Sequence, residues 1–137
     1  MLDSTLPIAL YAEATAGTLN AKMTEGILRY GRNPAVAVID STQAGKRVRD
    51  LWPLDSDLPV VATLAEAQAL GARVLVLGTA PSGGRVPPEW MAVLRQAVSG
   101  GMSIVNGMHD RLESVLGAEL QAGQWIWDLR VPHADLP

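Results

Sequence analysis

Short apolar runs alternate along the chain with longer stretches of mixed polarity. Runs such as 36–39 and 74–77 contain no polar residue, and unbroken apolar strands of this kind are typical of a parallel sheet that helices cover on both faces. The pattern predicts strands at 6–11, 36–39, 60–61, 74–77, 102–105 and 125–129.

The segments between these strands have helical spacing or helical end signals. In 19–30 the apolar positions Leu19, Met23, Ile27 and Leu28 follow the period of a helix, and Thr63 is a favourable N-cap for a helix over 64–70. Further helices are predicted over 47–52, 89–99 and 110–120. Alternating strands and helices form right-handed crossovers. The predicted fold class is therefore α/β, an open doubly wound parallel sheet of Rossmann-like type, with strand order 3-2-1-4-5-6.

Composition narrows the class of protein. With 137 residues, of which 48% are apolar, the chain is expected to be a single domain over residues 1–137 rather than disordered. The net charge of -3 gives no basic field for nucleic acid. The sequence has no Cys and only two His, so we expect no metal. No apolar run reaches the roughly 20 residues of a membrane span, and no secretory signal begins the chain, so the expected location is cytoplasmic.

In an open parallel sheet, ligands bind at the carboxyl ends of the strands, near the point where strand order reverses. The loop after the first strand has a single glycine, Gly17, whereas the dinucleotide fingerprint requires three. NAD(P) is therefore an unlikely cofactor. The loop after the second strand contains Asp40, Ser41, Thr42, Gly45 and Lys46, an acid followed by hydroxyls and a basic group, which suits a phosphorylated adenosine. An Asp-capped turn is the equal alternative.

Two further loops carry candidate chemistry. Gly83 and Gly84 can expose consecutive backbone N–H groups to an anion, and Arg85 can hold a carboxylate or phosphate bidentately. His109, in the loop after the fifth strand, titrates near neutrality and is the candidate catalytic acid or base. The alternatives are a purely structural surface loop and a structural histidine.

Several segments together carry a family resemblance. They are Lys22 with Gly-Ile-Leu-Arg-Tyr at 26–30, Val-Ala-Val-Ile-Asp-Ser-Thr at 36–42 with Ala-Gly-Lys at 44–46, Pro-Val-Val at 59–61, Gly-Thr-Ala-Pro-Ser-Gly-Gly at 78–84 with Pro-Pro-Glu-Trp at 87–90, Asn-Gly-Met-His-Asp at 106–110, and Ile-Trp-Asp at 126–128 through Asp-Leu-Pro at 135–137. The chain resembles the N-terminal Rossmann-like domain of a prokaryotic family, formerly of unknown function, whose members add a C-terminal P-loop domain.

The resemblance implies a function. Members of this family are tied to D-glutamate N-acetyltransferase activity with acetyl-CoA as co-substrate, so this chain would be the N-terminal ligand-binding part of a longer two-domain protein and inactive alone. The expected partners are a small-molecule substrate and the P-loop domain of the same protein, with no nucleic acid and no membrane; self-association is a further expectation. The alternative is a non-catalytic sensing or assembly domain that binds a nucleotide or carboxylate, and an NAD(P)-binding domain is a less favoured one.

Overall fold

The computed structural model of the chain describes residues 5–17, 22–31, 33–77, 87–107 and 112–128. Within these residues the strands are β1 (Ile8–Tyr11), β2 (Ala35–Ile39), β3 (Val60–Val61), β4 (Val74–Leu77), β5 (Ser103–Asn106) and β6 (Ile126–Asp128). The helices are α1 (Lys22–Tyr30), α2 (Val48–Leu51), α3 (Leu64–Ala69), α4 (Met91–Ser99) and α5 (Leu112–Leu116). Short 3₁₀ turns lie at Ser41–Gln43, Pro88–Trp90 and Gly117–Glu119.

The six strands form one sheet in the order β3-β2-β1-β4-β5-β6, and every neighbouring pair is parallel. The predicted fold class and strand order are confirmed. At the centre, Tyr11 on β1 lies beside Ile39 on β2 and Leu77 on β4. The carboxyl ends of these three strands therefore meet at one edge of the sheet, on either side of the point where strand order reverses.

Successive residues of the central strands bury their side chains on opposite faces of the sheet. On one face Tyr11, Leu75 and Leu77 pack with α3, α4 and α5. On the other face Leu10 and Val76 pack with Val48 and Trp52 from the α2 region. Both faces are covered and all four residues of β4 are buried, which explains why this run needs no polar alternation.

The outer edge of β3 is bonded to the segment that precedes α2. The Gly45 N–H donates to the Val60 carbonyl at 3.0 Å, and the Val60 N–H donates to the Lys46 carbonyl at 3.0 Å. Arg47 continues the pairing as an antiparallel bridge to Pro59. Gly45 has φ +93°, a left-handed conformation that favours glycine. The loop after β2 thus turns back and covers the edge of its own sheet.

The predicted boundaries of strands and helices agree closely with the observed ones where the sequence pattern is strong. β3 and β4 have the predicted bounds, and the Thr63 side chain caps α3 by accepting a hydrogen bond from the Glu66 N–H at 3.2 Å. The helix predicted over 110–120 is shorter, since α5 is followed by a 3₁₀ turn. Residues 19–21 of the first predicted helix lie outside the described residues. Among the helices described here, none has the length and apolar character needed to cross a membrane.

Candidate functional site

The carboxyl ends of β1 and β2 are tied together by one buried carboxylate. Asp40 directly follows β2 and is 0% exposed. Its Oδ1 accepts from the Ala14 N–H at 3.0 Å and from the Thr42 N–H and hydroxyl at 2.9 and 2.7 Å, while its Oδ2 accepts from the Ala16 N–H at 3.0 Å. Asp40 therefore holds the turn after β1 in place and also caps the 3₁₀ turn that starts at Ser41.

A second carboxylate, that of Glu13, lies at the same edge of the sheet. Ser41 donates its backbone N–H to Glu13 Oε1 at 2.8 Å and its hydroxyl to Glu13 Oε2. These two bonds fix the orientation of the Glu13 side chain. Each carboxylate oxygen has a second lone pair, so Glu13 can still accept a hydrogen bond from a ligand.

Tyr11 and Trp90 form the aromatic part of this site. Tyr11 ends β1 and is 4% exposed, and its ring meets the Trp90 ring edge to face, with the centroids 5.0 Å apart. Burial raises the pKa of Tyr11 from 10.0 to about 12, and the negative charges of Glu13, Asp40 and Glu89 act in the same direction. The Tyr11 hydroxyl is thus a neutral group that keeps its proton at physiological pH.

Two cavities open beside Tyr11 and Glu13. The larger has a volume of about 500 Å³ and is lined by Tyr11, Glu13, Ala14, Thr15, Pro87, Glu89 and Trp90. The smaller, of about 230 Å³, is lined by Tyr11, Glu13, Ile39, Ala62, Thr63, Leu64, Val93 and Gln96. Because both cavities share Tyr11 and Glu13, they adjoin at the end of β1. Open parallel sheets commonly bind ligands at this edge.

A similar buried carboxylate is found at the β5–β6 side of the sheet. Asp128, at the end of β6, accepts from the Asn106 side-chain amide at 2.8 Å and from the Leu112 N–H at 3.0 Å on one oxygen, and from the Glu113 N–H at 3.1 Å on the other. Asp128 thereby joins the end of β5 to the first turn of α5. His109 lies between Asn106 and Leu112 in the sequence, outside the described residues.

Most of the candidate ligand residues in the loop after β2 form hydrogen bonds with other residues of the protein. Asp40 and Thr42 bond to each other, Ser41 bonds to Glu13, and the Gly45 N–H bonds to Val60. The Lys46 side chain is exposed and forms no ion pair with any other described residue. The capped-turn alternative for Asp40 is observed, and ligand contact by these five residues stays a prediction.

The other candidates lie outside the described residues. These are Gly83, Gly84 and Arg85 from the loop after β4, and His109 from the loop after β5. The strands that precede both loops end at the same edge of the sheet as Asp40, since all six strands are parallel. The roles of these four residues stay predictions.

The sequence reasoning missed Glu13 and Glu89. Glu13 stands two residues after β1, in the loop whose single glycine argues against a dinucleotide fingerprint. A charged residue at the carboxyl end of a central strand is itself a signal of a site. Glu89 follows Pro88 at the start of the turn that leads into α4. Within the described part of the chain, no three His, Cys, Asp or Glu side chains are grouped so as to hold a metal ion.

Fold and cavities together define a class: a Rossmann-like domain with cavities at the carboxyl ends of its central strands. The model of the family described as a domain of unknown function (DUF1611_N), a Rossmann-like domain, matches residues 41–132. The chain belongs to this family, and the resemblance noted in the sequence is confirmed.

Similar proteins support the same assignment. A D-glutamate N-acetyltransferase of Tritonibacter scottomollicae is 42% identical over 78 residues, which cover 55% of this chain and 23% of that protein. A D-glutamate N-acetyltransferase of a Pseudoalteromonas species is 44% identical over 50 residues, covering 36% and 15%. The crystal structure of a DUF1611 family protein from Anabaena variabilis superposes with a TM-score of 0.89 at 36% identity, over 97% of this chain and 39% of that one. The matches thus span less than half the length of these relatives.

Proposed function

We propose that this chain is the N-terminal ligand-binding domain of an acetyl-CoA-dependent D-glutamate N-acetyltransferase. The observation that carries the proposal is the 42% identity over 78 residues with a protein of that name. The position of the two cavities supports it, since they lie where open parallel sheets bind small molecules. In the longer protein, a C-terminal P-loop domain would complete the enzyme.

The proposed reaction forms a nitrogen–carbon bond and breaks a carbon–sulfur bond. The ammonium group of D-glutamate loses one proton, the free amine attacks the thioester carbonyl, and the coenzyme A thiolate leaves. A second proton leaves the nitrogen as the amide forms, and the thiolate takes up one proton to become the thiol. One proton is released overall. A group that titrates near neutrality, here His109, is suited to the proton transfers.

The remaining predicted residues divide between binding and shaping the site. Gly83, Gly84 and Arg85 would hold a carboxylate or phosphate group through backbone N–H groups and a guanidinium. Lys46, exposed and without an ion pair in the described part of the chain, would meet the phosphates of coenzyme A. Asp40, Ser41, Thr42 and Gly45 would border the ligand through the turn that they build.

Calorimetry on the chain tests ligand binding. D-glutamate is titrated into the wild type, Arg85→Ala and Arg73→Ala, with L-glutamate and acetyl-CoA as separate titrants. Arg73 is exposed and immediately precedes β4, so it lies at the opposite edge of the sheet and serves as the matched control. Loss of the bidentate contact should weaken D-glutamate binding about tenfold in Arg85→Ala only. Absence of heat with both D-glutamate and acetyl-CoA would overturn the proposal.

Acetyl transfer is measured in the longer protein by the release of the coenzyme A thiol. This chain has no Cys, so it contributes no background thiol to the assay. We expect release with D-glutamate and little with L-glutamate, and mass spectrometry should find N-acetylglutamate in equal amount. Thiol release that does not depend on D-glutamate would contradict the assigned acceptor.

A further inference from the structure

The larger cavity has a chemical character that the proposed function does not use. Its lining includes the two carboxylates of Glu13 and Glu89 and the rings of Tyr11 and Trp90, and no described lining residue is basic. A carboxylate or phosphate placed there would be repelled by both acids. The described part of the lining therefore favours a cation over the anionic groups that the neighbouring loops are predicted to hold.

Tyr11 supplies an independent sign that this cavity takes a polar ligand. Tyr11 is only 4% exposed and lines both cavities, and its hydroxyl forms no hydrogen bond with any described residue. The hydroxyl is not among the fully buried polar atoms that lack a partner, so it is open to a molecule in the cavity. A ligand with hydrogen-bond donors would supply a partner, because the phenolic oxygen has free lone pairs.

The combination fits a cationic nitrogen. A primary ammonium has three N–H donors and a full positive charge, which match two carboxylates and a phenolic oxygen. The face of an aromatic ring also attracts a cation, and Trp90 is held in place by its contact with Tyr11. Ser41 orients Glu13 in advance through two hydrogen bonds, so less ordering is needed when the cation binds.

We propose that the cavity between the end of β1 and the Pro88–Trp90 turn binds a primary ammonium group, with Glu13 and Glu89 as its counter-ions. Resting on the proposed function, that group is the amine of the acetyl acceptor. D-glutamate would then bind with its ammonium group in this cavity and its carboxylates directed towards the basic side chains predicted to bind anions.

Nuclear magnetic resonance titration of the ¹⁵N-labelled chain tests the subsite with n-propylammonium chloride. We expect the amide signals of Ala14 and Thr15 and the indole signal of Trp90 to shift with the cation, and not with 1-propanol or sodium butyrate. Glu13→Gln and Glu89→Gln should each weaken binding about fivefold or more, since each removes one opposite charge. Glu113→Gln removes the same charge from a residue that lines neither cavity, and should bind as the wild type does.

Several results would overturn the subsite. Equal affinity of the wild type, Glu13→Gln and Glu89→Gln for n-propylammonium is one, and equal shifts with 1-propanol are another, because they would indicate a merely apolar cavity. Glu89 forms no hydrogen bond with a described residue, so Glu89→Gln carries the test even where Glu13→Gln fails to fold.

Titrating D-glutamate into the same variants shows whether the ammonium subsite or the proposed function is wrong. If n-propylammonium binds as expected but D-glutamate neither binds nor is acetylated, the subsite stands and the proposed acceptor is wrong. If D-glutamate binds the wild type and both glutamine variants equally, the proposed function stands and the ammonium subsite is wrong.

Discussion

At the scale of single residues, two buried aspartates accept hydrogen bonds mainly from backbone N–H groups of the protein itself. Within the described part of the chain, Asp40 accepts four hydrogen bonds and Asp128 accepts three. A buried carboxylate is stable only when such donors replace its lost hydration. Asp40 directly follows β2 and Asp128 ends β6, and each holds the neighbouring loop at the carboxyl-end edge of the sheet.

Replacing Asp40 with Asn should destabilise the fold. The amide NH₂ of Asn would face a backbone N–H, that of Ala14 or Ala16, and the charge that strengthens the remaining bonds would be gone. We expect a loss of about 2 kcal/mol or more in the free energy of unfolding, measured in urea. The control is Asp57→Asn, an exposed partner of Arg49, which should cost less than about 0.5 kcal/mol. Equal losses in the two variants would contradict the anchoring role of Asp40.

Because the pKa of Tyr11 is raised, the free energy of unfolding should depend on pH in the alkaline range. The unfolded chain loses this proton near pH 10 and the folded chain near pH 12, so the folded state binds more protons between these values. The stabilisation is therefore complete below pH 10 and is lost as pH rises towards 12. Wild type should lose about 2 kcal/mol more than Tyr11→Phe over this window, in urea unfolding at matched pH. Parallel curves for the two proteins would contradict the raised pKa.

At the scale of elements, two glycines in left-handed conformations shape the loops beside the site. Gly17 has φ +84°, and a Cβ there would lie 2.9 Å from the Leu51 carbonyl oxygen; Gly45 has φ +93° with open space around it. Gly17 therefore allows the turn after β1 to approach α2 closely. The structure thus gives Gly17 a packing role against Leu51.

Alanine substitutions at these positions should separate conformation from close approach. Gly45→Ala should cost about 1 kcal/mol from the left-handed backbone alone, and Gly17→Ala about 1–2 kcal/mol more, because its Cβ also meets Leu51. Gly26, inside α1, has open space and an ordinary backbone, so Gly26→Ala should raise stability by about 0.5–1 kcal/mol. The melting temperatures of the three variants, measured by thermal unfolding, should follow this order. A Gly17→Ala protein as stable as Gly45→Ala would disprove the contact with Leu51.

At the scale of the whole molecule, the sheet separates two apolar layers. Ile104 lies in the layer beneath α4 and α5, whereas Val48 lies in the layer on the opposite face, and both are 0% exposed. Side chains on opposite faces share no packing partners. The two layers should therefore respond independently to loss of volume.

Additivity in a double variant tests this independence. Ile104→Val should cost about 0.5–1.5 kcal/mol and Val48→Ala about 2 kcal/mol. The double variant should lose the sum within about 0.5 kcal/mol in urea unfolding. A larger deviation would show that the sheet transmits repacking from one face to the other.

The sequence was sufficient for the architecture but not for the contacts of the site. Unbroken apolar runs indicate buried parallel strands, and their alternation with helices restricts the strand order. The bond from Ser41 to Glu13 joins residues 28 positions apart, and it depends on the register of β1 against β2 and on a left-handed Ala14 with φ 64°. No local pattern records either, so Asp40 was identifiable as important whereas its four donors were not.

The turn of the chain at Gly45 and Lys46 also affects whether one molecule can associate with another through the edge of its sheet. A strand at the rim of a sheet is a template for pairing with another chain, and proteins that leave it bare risk aggregation. Here both backbone groups of Val60 that face outwards are already bonded to residues 45 and 46. Growth by strand addition on this side would first have to displace that segment, and with it the loop that begins at Asp40. Resistance to polymerisation and the shape of the candidate site thus depend on the same few residues.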